Sequence, residues 1–519
     1  MKALRLNSRN ALIFQHPNPL QIRTVIPDVH EFNYRGKNLL AVKHDIRNTK
    51  ILSSLGYEAN SPILYNYNWS GRYNPFSHQE QIAAFFTMHH RCFCLADIGT
   101  GKSLSALWAA DYLMQQGLVK KVLVLSPLST LDCVWGDEIF KHFPHRRYTV
   151  LHGTAAKRKQ LLNTEADFYI INHDGFRVVT NELAKRDDFD LIILDESAVY
   201  RNSQNERYKV FANHIKNRNK TRLWMMTGTP TPNAPTDAWA QVKLVNPTAV
   251  PKYFSRFRDQ VMFQQSQYKW VPRPNAVQQV MQIMQPSIRF HRDECLDLPE
   301  TIYQERHIDL TKAQKDLYTE LAKNLYVQYQ NGEITAANEA VKLSKLIQVC
   351  CGVVYDNEGT HQQVDASPRL NQLLSELIEE AGEKVIVFAP LTGALHLIQK
   401  YLSKKWSCAF IDGSVSKNQR TQIFRSFQQS KDPHVLIAHP KTMSHGLTLT
   451  EASTIIWYAP FPSAEVYEQA NGRITRSGQR HVTNIVHITS TNTEKRIYSR
   501  LKSNLKLQGL LMDAIKEMM

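Results

Sequence analysis

The sequence has few cysteines and no long apolar run. It contains 7 cysteines in 519 residues, and because none forms a C-x-x-C pair, a zinc module and a disulfide-stapled domain are both disfavoured. No run of about eighteen apolar residues occurs, so a membrane span is not predicted. The N-terminus lacks the apolar core of a secretory signal. We therefore expect a cytoplasmic protein with reduced thiols.

Acidic residues are also in short supply relative to basic ones. Lys and Arg number 63 against 47 Asp and Glu, which gives a formal net charge of +16. A basic excess of this kind favours a polyanionic partner such as nucleic acid. No internal repeat or low-complexity tract occurs, and at roughly 100–200 residues per domain the length predicts three or four domains.

Short apolar segments mark two α/β regions. In the first region they are Arg91–Ala96, Lys121–Ser126 and Leu191–Leu194, and in the second they are Lys384–Phe388, Cys408–Ile411, Val435–Ala438 and Thr454–Trp457. Helical patterns separate them, and this alternation is typical of doubly wound parallel sheets. We predict an α/β protein with two RecA-like parallel-sheet lobes, a helical insertion between them and a small N-terminal module.

The predicted boundaries follow these patterns. They give a basic N-terminal module at 1–70, lobe 1 at 71–245, a helical insertion at 246–365, lobe 2 at 366–490 and a closing helix at 491–519. Aromatic residues in the N-terminal module belong either to its core or to a surface that recognises a DNA fork or junction.

The segment Ala96–Ser103 has the sequence ADIGTGKS and lies between a predicted strand and a predicted helix. This is the setting of a phosphate-binding loop. Gly99 and Gly101 let backbone N–H groups close around phosphates. We expect Lys102 to reach the β- and γ-phosphates and Ser103 to bind Mg²⁺. ATP and Mg²⁺ are the predicted cofactors.

Three further residues complete the predicted site in the first lobe. Asp195 and Glu196 follow an apolar strand, and we expect Asp195 to hold Mg²⁺ through water and Glu196 to polarise the attacking water. Gln79 precedes the phosphate loop, and its amide can read both edges of adenine.

Arg473 and Arg476 lie three residues apart, so they share a helix face. We expect one or both to neutralise charge on the γ-phosphate in the transition state. Because they belong to the second lobe, lobe closure would complete the site and couple hydrolysis to motion. The alternative is a solvated or DNA-binding basic helix.

These motifs, in this order, resemble superfamily 2 helicases and, within them, Swi2/Snf2-type ATP-dependent DNA translocases. The resemblance covers residues 71–505 and includes motif Ia at Val122–Glu138, motif II at Asp195–Asn202 and motif VI at Gln469–Gln479. Ala198 stands where relatives often have His. The resemblance implies an ATP site made of Gln79, Asp97, Ile98, Gly99, Thr100, Gly101, Lys102, Ser103, Leu104 and, in motif V, Gly446.

Loops after the strands of both lobes are the predicted nucleic-acid contacts, because a motor that moves along any sequence grips phosphates. The candidates are Ser129, Thr130, His152, Lys157 and Arg158 in lobe 1, and Ser414, Thr442, Ser444 and His445 in lobe 2.

Three functions remain open. The first is a monomeric translocase on double-stranded or branched DNA that remodels forks, junctions or bound proteins, with replication or recombination proteins as further partners. The second is a strand-separating DNA or RNA helicase, for which a wedge hairpin could lie within 250–300. The third is a non-catalytic DNA-binding scaffold. The lack of an appended chromatin-type module favours a bacterial or bacteriophage source.

Overall fold

The computed structural model describes residues 2–6, 9–69, 71–232, 234–266, 269–295, 298–330, 336–355, 361–443, 448–476 and 478–503. The chain divides into two compact units, residues 1–295 and 296–519.

The N-terminal module is a four-stranded antiparallel sheet with short helices. Its strands pair in the order β1-β2-β4-β3, and a separate apolar cluster that includes Leu12, Phe14 and Tyr57 forms its core. Its elements are β1 Leu4–Leu6, β2 Ala11–Phe14, α1 Pro19–Val25, β3 His30–Tyr34, β4 Lys37–Lys43, α2 Ile46–Ser54 and α3 Ile63–Asn66.

The rest of the first unit is built on a seven-stranded parallel sheet with the order β13-β5-β10-β9-β6-β8-β7. Its central strands are buried on both faces because helices cover them. The elements are α4 Ser77–Met88, β5 Arg91–Ala96, α5 Lys102–Gln115, β6 Lys121–Ser126, α6 Asp137–His142, β7 Tyr148–Val150, α7 Ala155–Leu162, β8 Phe168–Asn172, α8 His173–Ala184, β9 Phe189–Asp195, α9 Glu206–Ile215, β10 Arg222–Met226, α10 Ala238–Val245, α11 Phe254–Val261, β11 Met262–Ser266, β12 Lys269–Pro272, α12 Ala276–Ile283, β13 Ser287–Phe290 and α13 Arg292–Cys295.

The second unit is built on a six-stranded parallel sheet with the order β14-β21-β20-β17-β19-β18. Its elements are β14 Thr301–His307, α14 Lys312–Gln330, α15 Ala336–Cys350, β15 Val353–Tyr355, β16 His361–Gln363, α16 Ser375–Ala381, β17 Lys384–Phe388, α17 Thr392–Leu402, β18 Cys408–Ile411, α18 Lys417–Gln429, β19 Val435–Ala438, β20 Ala452–Trp457, α19 Ala464–Asn471, β21 Thr483–Thr489 and α20 Asn492–Lys502.

A buried ion pair joins distant parts of the second unit. The Arg369 guanidinium lies 2.8 Å from a Glu494 carboxylate oxygen, and both side chains are almost fully buried. Arg369 also donates to the Cys350 carbonyl at 3.2 Å. Because removing one member would leave an unpaired buried charge, this pair fixes α20 against the start of lobe 2.

The two parallel-sheet lobes confirm the predicted α/β class. The stretch 246–365 differs from the predicted helical insertion, because it contributes a parallel strand to each sheet. Strand β13 pairs with β5, and β14 pairs with β21. Both are edge strands with polar residues on their partly exposed faces. They therefore contain no continuous apolar run that would predict a strand.

No helix among the described residues is long and apolar enough to cross a membrane.

Candidate active site

The phosphate loop lies at the carboxyl end of β5, which runs between β10 and β13. Gly99 has φ 89° and Gly101 has φ 79°, a left-handed backbone that glycine adopts readily. Helix α5 then begins at Lys102. The loop therefore has the backbone shape that its sequence predicts, with the positive end of a helix behind it.

Lys102 folds onto its own loop. Its Nζ donates to the Ala96 carbonyl at 2.6 Å and to the Asp97 carbonyl at 2.8 Å, and its side chain is buried. These two bonds satisfy the ammonium and hold it at the mouth of the loop.

Gln79 and His78 support the loop from the preceding helix α4. The Gln79 amide donates to the Thr100 carbonyl at 3.3 Å and accepts from the Phe76 N–H at 3.0 Å. The His78 ring contacts the same Thr100 carbonyl at 2.8 Å. A Cβ at Gly101 would clash with the Gln79 amide, so the glycine is needed for this close approach. Adenine recognition by Gln79 stays a prediction, since its amide is engaged with the loop.

Asp195 is the last residue of strand β9, so it lies at the carboxyl ends of the parallel strands, as the phosphate loop does. Met226 of β10 pairs with Cys94 of β5 on one side and with Asp195 of β9 on the other. Parallel strands lie about 4.8 Å apart, so this register places Asp195 roughly 10 Å from the strand that carries the phosphate loop. The structure thus brings together the loop and the acidic pair, which are distant in sequence.

The indole of Trp135 holds the Asp195 carboxylate. Its Nε1 donates to Asp195 Oδ2 at 3.0 Å in a buried setting. A π-helical turn, Leu131–Gly136, presents the ring. Burial raises the pKa of the Asp195 carboxyl above its usual value, and the hydrogen bond from Trp135 and the charge of Lys102 oppose that rise. Trp135 therefore favours the charged form that a cation requires.

Replacing Trp135 with phenylalanine should weaken Mg²⁺ binding about 10- to 100-fold, the usual cost of losing a partner of a metal ligand. The half-saturating Mg²⁺ concentration for ATP hydrolysis measures this change. Trp224→Phe is the matched control, because that indole donates to the His89 carbonyl at 3.3 Å and not to an acidic residue. Equal Mg²⁺ requirements in both variants would contradict the role given to Trp135.

Glu196 has a strained backbone. Its φ of 53° and ψ of 51° lie in the left-handed region, which costs a non-glycine residue about 1–3 kcal/mol. The Glu196 N–H donates to Asp195 Oδ1 at 3.1 Å, and this bond ties the two acidic residues together. Strain of this kind occurs where a side chain must be aimed, as expected for a residue that polarises water.

A segment that was not predicted to belong to the site supports Asp97. The Arg292 N–H donates to Asp97 Oδ2 at 3.0 Å, and the Asp97 N–H donates to the Phe290 carbonyl at 3.1 Å. The edge strand β13 therefore fixes the start of the phosphate loop. The sequence signal for this segment is that Arg289–Pro299, RFHRDECLDLP, resembles the stretch that joins the two lobes in Swi2/Snf2-type proteins.

A buried network connects motif II to the loop after β10. Ser197 Oγ donates to Gln241 Oε1 at 3.3 Å, and Gln241 Nε2 donates to the Pro230 carbonyl at 2.6 Å. Pro230 is the last residue of the sequence TGTP, at Thr227–Pro230, which follows β10 directly. Ala198, the position that is often His in relatives, is buried beside this network. Gln241 thus links motif II to the loop after β10 by hydrogen bonds, which the methyl group of Ala198 cannot form.

The two predicted arginines do not share a helix face, because α19 ends at Asn471 and both Arg473 and Arg476 lie in the turn that follows it. Arg473 Nε donates to the Gln469 carbonyl at 2.8 Å, and Arg476 Nε donates to the Gly472 carbonyl at 2.6 Å. Arg473 is buried and Arg476 is half-buried. Their action on the γ-phosphate stays a prediction, and Gly446 lies outside the described residues.

The remaining predicted ATP-site residues lie in or beside the loop. Ile98, Ser103 and Leu104 are half-buried and Thr100 is fully buried. Ser103 is in the first turn of α5, where its hydroxyl fits a metal ligand in this class of loop. The donor set of glycine-loop N–H groups, an ammonium, a hydroxyl and two carboxylates fits a magnesium-bound nucleotide. Among the described residues, no cluster of three or more His, Cys, Asp or Glu forms another metal site.

The predicted nucleic-acid contacts differ in how available they are. His152 and Lys157 are exposed. Thr130 is buried and donates to the Pro127 carbonyl at 2.9 Å. Arg158 bridges two loops, donating to the Leu151 carbonyl and to Asn172 Oδ1, each at 2.9 Å. Thr130 and Arg158 therefore have structural bonds of their own.

The other candidates follow strands at the same sheet edges. Ser129 is half-buried in a short helical turn after β6. In the second unit, Ser414 follows β18 and donates to Asp412 Oδ1, while Thr442 follows β19 and donates to the His439 carbonyl at 2.7 Å. Ser444 and His445 lie outside the described residues.

A parallel sheet that carries a phosphate loop on one strand and an acidic pair on a nearby strand defines a nucleoside-triphosphate-hydrolysing protein. Residues 67–352 match the SNF2-related domain family and residues 369–478 match the helicase conserved C-terminal domain. The chain belongs to the SNF2-related family, and it is a nucleic-acid-dependent ATPase.

Relatives of known sequence are distant. The chain is 26% identical over 443 residues to protein p41 of Acyrthosiphon pisum secondary endosymbiont phage 1, covering 81% of this chain and 94% of that protein. It is 24% identical over 446 residues to the ISWI chromatin-remodeling complex ATPase of Saccharomyces cerevisiae, covering 80% of this chain and 38% of that protein. The chain therefore spans nearly all of the phage relative and about two fifths of the yeast one.

Among solved structures, the chain is similar to the SWI2/SNF2 ATPase core of Sulfolobus solfataricus in complex with double-stranded DNA. The TM-score is 0.41 at 22% identity, covering 84% of this chain and 92% of that one.

Proposed function

We propose that the chain is a translocase that couples ATP hydrolysis to movement along double-stranded DNA and thereby remodels forks, junctions or bound proteins. The observation that supports this most directly is the register of the first sheet, which aligns Asp195 through Met226 with Cys94, two residues before the end of the phosphate-loop strand. An intact hydrolytic set in a member of this family favours a working motor over a scaffold.

DNA as the partner is supported by charge and by the sheet edges. The net charge is +16, and exposed His152 and Lys157 follow β7 at the edge where strands end. In a motor that moves along any sequence, such residues contact phosphates and not bases. The yeast relative is named a chromatin-remodeling ATPase, which agrees with a duplex track.

The N-terminal module is proposed to recognise branched DNA. Tyr57 belongs to its core, and Tyr67 is buried with its hydroxyl 2.7 Å from Asp111 of α5. Tyr34 and Tyr65 are exposed. Of these four tyrosines, Tyr34 and Tyr65 are therefore the two that are exposed for contact with DNA.

DNA should stimulate the ATPase, and salt should remove the stimulation. Each phosphate contact contributes a slope of about −0.9 in log affinity against log salt concentration for duplex DNA. The measurement is steady-state phosphate release against DNA concentration at several salt concentrations. An ATPase rate that is independent of DNA and insensitive to salt would contradict the proposal that hydrolysis is coupled to movement along DNA.

Arg476→Ala should slow hydrolysis more than it weakens ATP binding, because the proposed contact forms mainly in the transition state. We expect kcat to fall roughly 10- to 100-fold, the worth of one charge-assisted hydrogen bond. ATP affinity, measured by titration with a fluorescent nucleotide, should change little. Arg480→Ala, an exposed arginine four residues later, is the control. An unchanged kcat in Arg476→Ala would count against the role.

A strand-separating helicase is the second candidate, and one observation favours it. Strands β11 and β12 form an antiparallel hairpin in which Phe263 pairs with Val271, within the range where a wedge was predicted to lie. Displacement of a labelled strand from forked DNA and from RNA duplexes distinguishes the two motors.

A further inference from the structure

The segment between residues 252 and 273 carries exposed aromatic rings that the ATP site does not use. Tyr253 is 57% exposed, Phe254 is 44% exposed and Phe263 is 40% exposed. Single exposed apolar side chains are common on protein surfaces. Three large exposed rings within eleven residues are less common, and such a concentration of exposed apolar groups is typical of a binding surface.

Cations lie next to these rings. Lys252 Nζ is 5.6 Å from the centroid of the Tyr253 ring, and the Arg256 guanidinium is 6.0 Å from the same centroid. Lys252, Tyr253 and Arg256 are all exposed. The Tyr253 ring therefore has two basic groups, from Lys252 and Arg256, within the range of a cation–π contact.

The segment has almost no acidic residues to balance these charges. Residues 252–273 contain five Lys or Arg and one acidic residue, Asp259. That carboxylate is already paired with Arg258, at 3.0 Å, while the Arg258 guanidinium lies 3.8 Å from the centroid of the Trp270 ring. The charge of this segment therefore favours an anionic ligand.

The rings stand on an anchored base. Phe257 and Val261 of α11 and Met262 of β11 are buried in the core of the first unit. Phe254 lies edge-on to Trp239, with 5.6 Å between ring centroids. Because the helix beneath them is fixed, Tyr253 and Phe254 lose little freedom when a ligand stacks on them.

Nucleic acid in which bases are unpaired matches both features at once. Phosphates are complementary to Lys252 and Arg256, and a free base face can stack on an aromatic ring, whereas a duplex keeps its base faces stacked on one another. An acidic protein segment would match the charge, but it gives the exposed rings no planar partner.

We propose that residues 252–266 and 269–273 bind an unpaired nucleic-acid strand, with Tyr253 as a base-stacking platform and with Lys252 and Arg256 as phosphate contacts. This inference rests on the proposed DNA motor and adds to it a second contact surface that uses none of the predicted strand-end loops. It would let the motor hold the single strand of a fork or displaced region while the lobes engage the duplex.

The test uses the full chain and fluorescence anisotropy with labelled oligomers of one length: oligo-dT, an abasic deoxyribose-phosphate strand, oligo-rU and a blunt duplex. Tyr253→Ala should weaken oligo-dT binding about 5- to 150-fold, the range for one stacked base. Binding to the abasic strand and to the duplex should stay within about twofold. Comparing oligo-dT with oligo-rU identifies whether the strand is DNA or either nucleic acid.

Arg256→Gln should weaken both oligo-dT and the abasic strand, and it should reduce the salt slope by about 0.7, the value for one phosphate contact on a single strand. Phe140→Ala is the control, since that ring is 73% exposed on α6. Phe263→Ala provides a second variant at the hairpin, expected to act as Tyr253→Ala does.

An oligo-dT and oligo-rU affinity that is unchanged in Tyr253→Ala and Phe263→Ala would overturn the inference and leave the segment to a protein partner. An equal loss on the abasic strand would also overturn it, because stacking would then play no part. Duplex-stimulated ATPase in Tyr253→Ala separates the two hypotheses. If the wild type itself shows no DNA-stimulated ATPase, the proposed function fails instead.

Discussion

Replacing Lys102 with alanine should reduce ATP turnover on the order of 10³-fold, the scale of losing one preorganised group that stabilises transition-state charge. The ammonium sits on the Ala96 and Asp97 carbonyls at 2.6 and 2.8 Å, so it is already at the loop where phosphates would bind. No other described lysine has its Nζ bonded to this loop. Phosphate release at saturating DNA measures the loss.

DNA affinity should be largely intact in Lys102→Ala, because the predicted DNA contacts lie in other loops. Lys121→Ala is the matched control. Lys121 is the first residue of β6, so it lies at the amino ends of the parallel strands, whereas the phosphate loop lies at their carboxyl ends. It pairs with Glu165 and Asp188, and its loss should leave turnover unchanged. Turnover like that of the wild type in Lys102→Ala would refute the site assignment.

Glu196→Gln should lower kcat by about 10²- to 10⁴-fold, the contribution of a general base. The amide keeps the size of the side chain but cannot polarise water as a carboxylate does. Asp195 and Lys102 are untouched, so ATP affinity should remain and the protein should accumulate in the ATP-bound state. Single-turnover hydrolysis and nucleotide titration measure the two effects separately.

The backbone of Glu196 makes this variant informative. The left-handed φ of 53° is retained by Gln as by Glu, so the thermal unfolding midpoint should not change. Glu206→Gln, on helix α9, is the control for loss of a carboxylate elsewhere in the unit. A Glu196→Gln protein that hydrolyses ATP at the wild-type rate would show that another group activates the water.

Much of the fold could be predicted because buried parallel strands are continuous apolar runs. The observed bounds of β5, β6, β17, β18 and β19 are those of the predicted segments. Strand β10, RLWMM, is buried throughout but is rich in Trp and Met, without the β-branched residues that mark most of the predicted strands. Strand β14, at Thr301–His307, has the sequence TIYQERH and contains no continuous apolar run.

The chemical groups of the site could also be predicted, because loop and strand-end motifs are local in sequence. Contacts between distant residues could not. Trp135 and Asp195 are 60 positions apart, and nothing in either motif states that an indole N–H meets a carboxylate. The Gln241 network likewise depends on how α10 packs against motif II.

Some residues that were predicted to bind DNA or ATP have polar groups that are engaged in structural hydrogen bonds. Arg158 and Thr130 have residue types that suit phosphate contacts, but both use their polar groups to hold loops. Gln79 lies at the predicted site, yet it supports the Thr100 carbonyl. Residue type identifies which chemistry is available, and only packing decides whether a group is free to perform it.

If ATP hydrolysis drives movement along duplex DNA, displacement of the third strand from a DNA triplex measures that movement directly. We expect displacement by the wild type that requires ATP and Mg²⁺ and is absent in Lys102→Ala. DNA-stimulated hydrolysis by the wild type with no displacement of the third strand would contradict the proposed movement.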